Sequence, residues 1–158
     1  PWQSEQVEHE AELAIVVGRL CRDVDEERVD EVILGYTCAN DVTARDLQRV
    51  DGQWGRAKGF DTFCPLGPWI ATDVDLDDAA IECRVNGVVR QSSSLGDMVR
   101  SPRELVAWVS SVMTLLPGDV ILTGTPAGVS PLAAGDEVAV SIDGIGTLTN
   151  QVRDRGCD

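Results

Sequence analysis

Residues 9–18 read His-Glu-Ala-Glu-Leu-Ala-Ile-Val-Val-Gly. The apolar, partly β-branched run at 13–17 has no polar alternation and ends at Gly18, as suits a strand buried on both faces. If extension begins at the polar end of the segment, Glu10 and Glu12 lie two apart and point to one face. Two like charges side by side at the mouth of a core strand repel unless they are solvated, protonated or bridged by a cation. A hard divalent ion meets that need, because Mg²⁺ takes oxygen ligands and keeps positions for water or substrate. A wet strand end meets it too.

The chain on either side supplies partners for such a strand. Residues 26–34 carry Val29, Val32 and Ile33 among charges, the pattern of a short amphipathic helix, and Gly35 ends it. Residues 36–42 alternate loosely and read as a second strand. The stretch 51–68 holds Gly52, Gly55, Gly59, Pro65, Gly67 and Pro68, which reads as a long loop with Lys58 inside it. Residues 81–85 and 88–92 flank Asn86-Gly87, a pair that tolerates the positive φ a two-residue hairpin turn demands. Ser101-Pro102-Arg103-Glu104 supplies an N-cap, a proline at the first helical position and a capping-box Glu. The helix that follows runs through Leu105, Val106, Val109, Val112 and Met113, and Pro117-Gly118 closes it. Strands are expected at 119–123, 137–142 and 146–152, the last two joined around Asp143-Gly144. The whole reads as one strand-rich α+β domain over residues 1–158, without repeat or linker.

Composition narrows the function. Thirteen basic against 27 acidic residues give a formal charge of -14, which disfavours nucleic acid and anionic membrane surfaces as partners. No window approaches the roughly 18 uninterrupted apolar residues of a membrane span. Five cysteines, Cys21, Cys38, Cys64, Cys83 and Cys157, are widely spaced with no CxxC pair, as expected of reduced thiols in a cytoplasmic protein. The N-terminus, Pro1-Trp2-Gln3-Ser4-Glu5, has neither an initiator Met nor the features of a signal peptide, so residues upstream of Pro1 are expected. Lys58 is the only lysine among the basic residues. Either the position needs a compact ammonium or a tunable pKa that Arg lacks, or the composition simply favours Arg.

Three further segments carry candidate chemistry. In residues 40–48, Asn-Asp-Val-Thr-Ala-Arg-Asp-Leu-Gln, a helical turn after a strand ending near Val42 would place Asp41, Arg45 and Gln48 on one face. That face would offer a third carboxylate, a guanidinium for a carboxylate substrate and an amide; an ordinary surface Asp–Arg pair is the plainer account. Residues 56–61 place Lys58 beside Gly59. Residues 122–129, Leu-Thr-Gly-Thr-Pro-Ala-Gly-Val, run from a strand into a tight loop that presents the Thr125 hydroxyl and backbone N–H groups to an anion. The acidic run at 73–78 lacks the Gly and Glu of a calcium-binding EF-hand loop and reads as a solvated turn. His9 is the only histidine, so a His-based metal cluster or a Ser-His-Asp triad within the chain is excluded.

Taken in order, HEAELAIVVG at 9–18, GYTCANDVTARDLQ at 35–48, GRAKGFDTFCPLGPW at 55–69, VNGVVRQ at 85–91 and LLPGDVILTGTPAGV at 115–129 resemble the fumarylacetoacetate hydrolase family. The likeness runs from about Glu8 to Val152. It implies an α+β fold, a mixed β-roll with short flanking helices, assembled as a homodimer. It implies Mg²⁺ or Mn²⁺ held by Glu10, Glu12 and Asp41, with Arg45, Gln48, Lys58 and Thr125 around a small oxo-acid substrate. Lys58 and Gln48 are the expected catalytic groups, and burial near a cation is expected to lower the Lys58 pKa. Hydrolytic members of the family resemble one another in a His–Glu pair that activates water, in a segment before the Glu-x-Glu motif; the residues from Pro1 onward do not contain it, so either it lies upstream of Pro1 or the protein does without a water-activating base. Hydrolysis of an acylpyruvate-type C–C bond, isomerisation of a 2-hydroxy-diene dioate, decarboxylation or tautomerisation of an oxaloacetate-type acid, and a catalytically silent metal-binding relative all fit the sequence.

Overall fold

The structure, a computed structural model, describes residues 3–154. Of the residues singled out above, Pro1, Trp2 and Cys157 lie outside the described residues. In chain order it runs β1 (Val7–Glu8), β2 (Ala11–Val17), a 3-10 helix (Glu26–Glu31), β3 (Ile33–Asn40), β4 (Thr43–Ala44), α1 (Arg45–Asp51) and α2 (Gly55–Lys58). There follow β5 (Leu66–Ala71), β6 (Ala80–Val85), β7 (Val88–Ser94), a 3-10 turn (Leu95–Asp97), α3 (Pro102–Val112), β8 (Val120–Leu122), β9 (Glu137–Ile142) and β10 (Gly146–Gln151). This α+β arrangement is the one expected.

Two four-stranded sheets, ordered β5-β3-β2-β8 and β10-β9-β6-β7, make the body, and β1 pairs with β4 beside them. β2 is buried along its whole length. Its alternate residues Ala11 and Leu13 meet Cys38, Ile81, Cys83, Val140 and Ile142 in the core between the sheets. Ile15 and Val17, farther along, pack with Val29, Val106 and Leu115. Burying these aliphatic side chains stabilises by roughly 1.5–3 kcal/mol each. It leaves Glu10 and Glu12 on the opposite side of the strand, because β periodicity permits nothing else.

The Asn86-Gly87 turn has both residues at positive φ, 53° and 77°, and joins β6 to β7 as the sequence predicts. α3 begins with the full capping box, the Ser101 hydroxyl accepting from Glu104 N–H at 3.2 Å and the Glu104 carboxylate accepting from Ser101 N–H at 2.6 Å.

Three expectations are corrected. The helix over 26–34 is a 3-10 helix ending at Glu31, because Ile33 is drawn into β3 opposite Val17. The strand expected to reach Val42 stops at Asn40, whose side-chain oxygen accepts from Glu10 N–H at 2.9 Å while Asp41 N–H turns to Glu10 C=O at 2.8 Å. The loop over 51–68 contains the end of α1, all of α2 and the start of β5, and Lys58 is the last residue of α2. A small cluster explains that order: Ala44, Leu47 and Ala57 are buried together, with Phe60 and Phe63 packed against them and edge to face with each other.

Candidate functional site

Glu10 stands at the entry to β2, Glu12 is its second residue, and Asp41 follows directly on the end of β3. β2 and β3 are neighbours, with Ala11 opposite Asn40, so the three carboxylates come together from two adjacent strand ends. Each offers an oxygen lying within 4.8 Å of the other two, and all three residues are buried. Asp41 does not share a helical face with Arg45 and Gln48: it lies in the connection before β4, and α1 starts only at Arg45. Arg45 and Gln48 do share a face of α1, where Arg45 Nη1 donates to Gln48 Oε1 at 2.7 Å.

Two cations close the site. Lys58 Nζ donates to Glu10 Oε2 at 3.0 Å, to Thr43 Oγ1 at 3.0 Å and to Asp41 Oδ2. Arg45 Nε donates to Glu8 Oε2 at 2.7 Å, and its Nη2 donates to Glu10 Oε1. Glu8 continues the alternation of Glu10 and Glu12, two residues back along the chain, and is buried as they are. The sequence reading overlooked it, although the same spacing that singled out its neighbours also marks Glu8.

The electrostatics follow from burial. Desolvation, relieved in part by the Gly124 N–H at 2.7 Å and reinforced by Asp41 and Glu10, pushes the Glu12 carboxyl up to about 7. Burial also raises Asp41, with Lys58 opposing. Burial alone would lower the Lys58 ammonium, but Asp41 and Glu10 beside it outweigh that and hold it above the ordinary lysine range. The lowered pKa expected from the sequence belongs to an ammonium beside a cation; the groups touching Nζ here are carboxylates, which favour its charged form. Glu8 is likewise opposed by burial yet is held below its usual range by hydrogen bonds from Arg45 and Gln6.

Four buried carboxylates face two cations, so the cluster is short of positive charge. An all-oxygen, anionic, desolvated donor set is what a hard divalent cation requires. The residues present therefore fit Mg²⁺ or Mn²⁺.

Thr125 reaches the site differently from the other predicted residues. Its Oγ1 donates to Ala11 C=O at 2.8 Å and accepts from Gln91 Nε2 at 2.8 Å, so its hydroxyl is committed to β2 and β7. The neighbouring Gly124 is the residue of this loop that touches a candidate ligand, Glu12. The loop also lines a cavity of about 450 Å³, together with Leu95, Arg100 and Leu105. His9 is fully buried between Gln91 and Ser130, and burial pushes its imidazole below the usual range.

A family model described as the fumarylacetoacetate (FAA) hydrolase C-terminal matches residues 1–153. An uncharacterized protein of Methanocaldococcus jannaschii is 54% identical over 154 residues, 98% of this chain and 65% of the relative. A mitochondrial oxaloacetate tautomerase of Xenopus laevis is 46% identical over 164 residues, 96% of this chain and 51% of the relative. Among solved structures, a 5-carboxymethyl-2-hydroxymuconate delta-isomerase from Mycobacterium smegmatis superposes with a TM-score of 0.94 at 60% identity, covering 95% of this chain and 60% of that one. A fumarylpyruvate hydrolase from Pseudomonas aeruginosa, solved with Mn²⁺ and pyruvate, gives 0.90 at 35% identity, covering 97% and 68%. This chain thus spans somewhat under two thirds of the length of the first curated relatives it matches.

Proposed function

The chain belongs to the fumarylacetoacetate hydrolase family, and from that premise we propose that it is the cation-holding part of an enzyme that moves a proton between the enol and keto forms of a small oxo-dicarboxylic acid. The observation that carries this reading is the trio of buried carboxylates, with donor oxygens within 4.8 Å of one another. Glu10, Glu12 and Asp41 would hold Mg²⁺ or Mn²⁺. When bound, the cation supplies a Lewis acid for the oxygen on which negative charge develops as the proton leaves.

The chain's own groups supply the rest. Lys58, kept protonated by Glu10 and Asp41, holds a proton at Nζ next to the carboxylates, where it can be given to the substrate and recovered. Thr43 Oγ1 fixes the direction of Nζ. Arg45 orients the Glu10 carboxylate and brings positive charge for a substrate carboxylate, with Gln48 setting the plane of its guanidinium. Thr125 serves through its loop, whose Gly124 N–H holds Glu12. In the enol-to-keto direction one proton leaves the enol oxygen and one reaches carbon, so the change is an isomerisation with no co-reactant.

A second reading, hydrolysis of a C–C bond, is favoured by the likeness to the fumarylpyruvate hydrolase. That reaction needs a base for water in addition to the groups above. His9 is not such a base, being fully buried and engaged at both ring nitrogens. The likeness to an isomerase and a tautomerase supports the first reading.

Self-association as a homodimer and residence in the cytoplasm belong to the same proposal. Support for the first is the exposed Leu66, Trp69 and Ile70 on the edge strand β5. For the second, Cys21, Cys38, Cys64 and Cys83 are free thiols, as a reducing compartment keeps them.

The test begins with Mg²⁺ titration calorimetry, followed by the decay of enol absorbance for oxaloacetate and a 2-hydroxy-diene dioate. Mg²⁺-dependent acceleration over buffer is expected. Mg²⁺ binding with no acceleration of either acid would leave a silent relative, and no Mg²⁺ binding would overturn the reading altogether.

A further inference from the structure

β2 has a partner strand on each side only along part of its length. β3 follows it as far as Ala11, but β8 pairs only with Ala14, Ile15 and Val16 and ends at Leu122. Thr123 N–H still reaches Leu13 C=O at 3.2 Å, but along the Glu10–Glu12 stretch, which bears two of the candidate ligands, the β8 side of β2 lacks a continuing strand. Unpaired backbone groups buried there would destabilise the fold. Side chains take the place of the strand: Ala11 N–H donates to Gln91 Oε1 at 3.0 Å, and Ala11 C=O accepts from Thr125 Oγ1 at 2.8 Å.

Gln91 is 1% exposed and uses both ends of its amide fully. Oε1 receives Ala11 N–H and faces His9 Nδ1 at 2.8 Å; Nε2 donates to Thr125 Oγ1 at 2.8 Å and to Pro126 C=O at 2.8 Å. The orientation is forced, because a backbone N–H can only donate and a backbone carbonyl can only accept. It follows that His9 carries its proton on Nδ1 and that Nε2 accepts from the Ser130 hydroxyl at 2.8 Å. One amide thus joins the strand that carries Glu10 and Glu12, the only imidazole and the loop after β8. A second observation ties the same loop to β7 independently. Gly128, at φ +106°, approaches so closely that a Cβ there would lie 2.2 Å from the Arg90 carbonyl oxygen and 3.3 Å from Gln91 Cγ.

The consequence lies one residue away from Thr125. With the loop pinned by Gln91 at Thr125 and Pro126, Gly124 N–H is aimed at Glu12 Oε2, 2.7 Å away. We propose that Gln91 is the positioning residue of the cation site: from β7, in the other sheet, it sets the 124–126 loop against β2 and thereby fixes the Glu12 carboxylate for the ion. It touches neither the ion's ligands nor the substrate, and it acts through the loop and the strand.

The test uses Gln91→Leu, which keeps much of the side-chain bulk and removes all four hydrogen bonds, alongside Ser110→Ala as control. Ser110 is as deeply buried, in α3, and its hydroxyl serves only Val24 N–H and Ala107 C=O. Two quantities are read on folded protein: Mg²⁺ affinity by calorimetry, and hydrogen exchange of the Gly124 amide in chelator. Gln91→Leu is expected to weaken Mg²⁺ binding about 10–100-fold, the range for losing a group that orients a ligand, and to speed Gly124 exchange by at least about tenfold. Ser110→Ala should change neither. Parent-like affinity and exchange in Gln91→Leu, or equal losses in Ser110→Ala, overturn the proposal.

Should Gln91→Leu fail to fold, Thr125→Val and Thr125→Ser replace it. Valine breaks the Thr125 half of the link from Gln91 to the loop, the bond to Pro126 C=O remaining, and must reproduce both effects in part, whereas serine keeps the hydroxyl and must restore the parent values; a parent-like Thr125→Val overturns the proposal. The affinity arm rests on the reading of Glu12 as a cation ligand, but the exchange arm does not. A parent protein that binds no Mg²⁺ refutes that reading, and Gln91 is then judged by Gly124 exchange alone.

Discussion

Replacing Glu12 by Gln should stabilise the metal-free protein at neutral and alkaline pH and leave it unable to profit from Mg²⁺. Glu12 is 3% exposed, and its carboxyl is pushed from 4.5 to about 7 by desolvation and by the neighbouring Asp41 and Glu10. The native state therefore binds this proton more tightly than the unfolded chain does. For a raised carboxyl the contribution to stability is fully present below pH 4.5 and is lost as pH rises through 7. At about 1.4 kcal/mol per pH unit, the displacement is worth about 3 kcal/mol. Glutamine mimics the protonated acid at every pH and still accepts from Gly124 N–H. Urea unfolding in chelator at pH 4.5, 6, 7 and 8 should show near-equal stabilities at the acid end and an advantage for Glu12→Gln that grows to about 3 kcal/mol at pH 8. Mg²⁺ should reverse the order at pH 8 once it reaches about a thousand times its Kd, where it adds about 4.1 kcal/mol to the parent alone. Parent Mg²⁺ affinity should also fall as pH drops below about 7, where the ion competes with the Glu12 proton. A stability difference that does not vary between pH 4.5 and 8 would refute the burial argument, whatever the activity.

The remaining predictions concern the partners of the same carboxylates. Asp41→Ala should abolish most Mg²⁺ affinity in calorimetry, because it deletes a ligand and a charge together. Lys58→Met should leave that affinity undiminished, as the ammonium beside Glu10 and Asp41 repels an incoming cation, while turnover falls by about 10²–10⁴-fold. Unchanged turnover in Lys58→Met would make the lysine a bystander. Arg45→Met should destabilise metal-free protein by about 3 kcal/mol in urea unfolding, since Glu8 and Glu10 lose a buried partner, and Mg²⁺ should recover part of that loss. Gly128→Ala should lower stability by about 2 kcal/mol or more, a Cβ at φ +106° meeting the Arg90 carbonyl; a change under about 0.5 kcal/mol would show that the loop moves freely.

Much of the site was legible because its chemistry is written in short spacings. A two-residue interval on a strand fixes which face a side chain takes, so Glu10 and Glu12 were bound to appear together wherever β2 lay. The capping box at Ser101 and the Asn86-Gly87 turn were legible for the same reason: each is decided by neighbours within four residues. Asp41 joined the trio by a route no local pattern reveals, the pairing of β2 with β3 that sets Ala11 against Asn40. A shared helical face with Arg45 and Gln48 singled out a member of that trio with the wrong geometry. Local propensity also misplaced the helix over 26–34, where Ile33 gained more from pairing with Val17 than from another helical turn.

What sequence spacing could not supply was the supply of hydrogen-bond partners at the edges of β2. The length of β8 depends on where the chain leaves the sheet, and the side chains that take over from it come from residues 91 and 125, far away along the chain. An edge left bare beside two acidic residues is a place where backbone and ligand needs are met by the same few atoms. Asn40 does on the β3 side what Gln91 and Thr125 do on the β8 side: its side chain accepts the N–H of Glu10. The two amides hold opposite margins of one strand segment, so the spread of the carboxylates between them is fixed before any ion arrives. A charge cluster held this way, at a cost in desolvation visible in the raised Glu12 and Asp41, would be preorganised for the proposed cation. The pH-dependent stability of Glu12→Gln and the loop exchange in Gln91→Leu therefore probe one arrangement from its two sides.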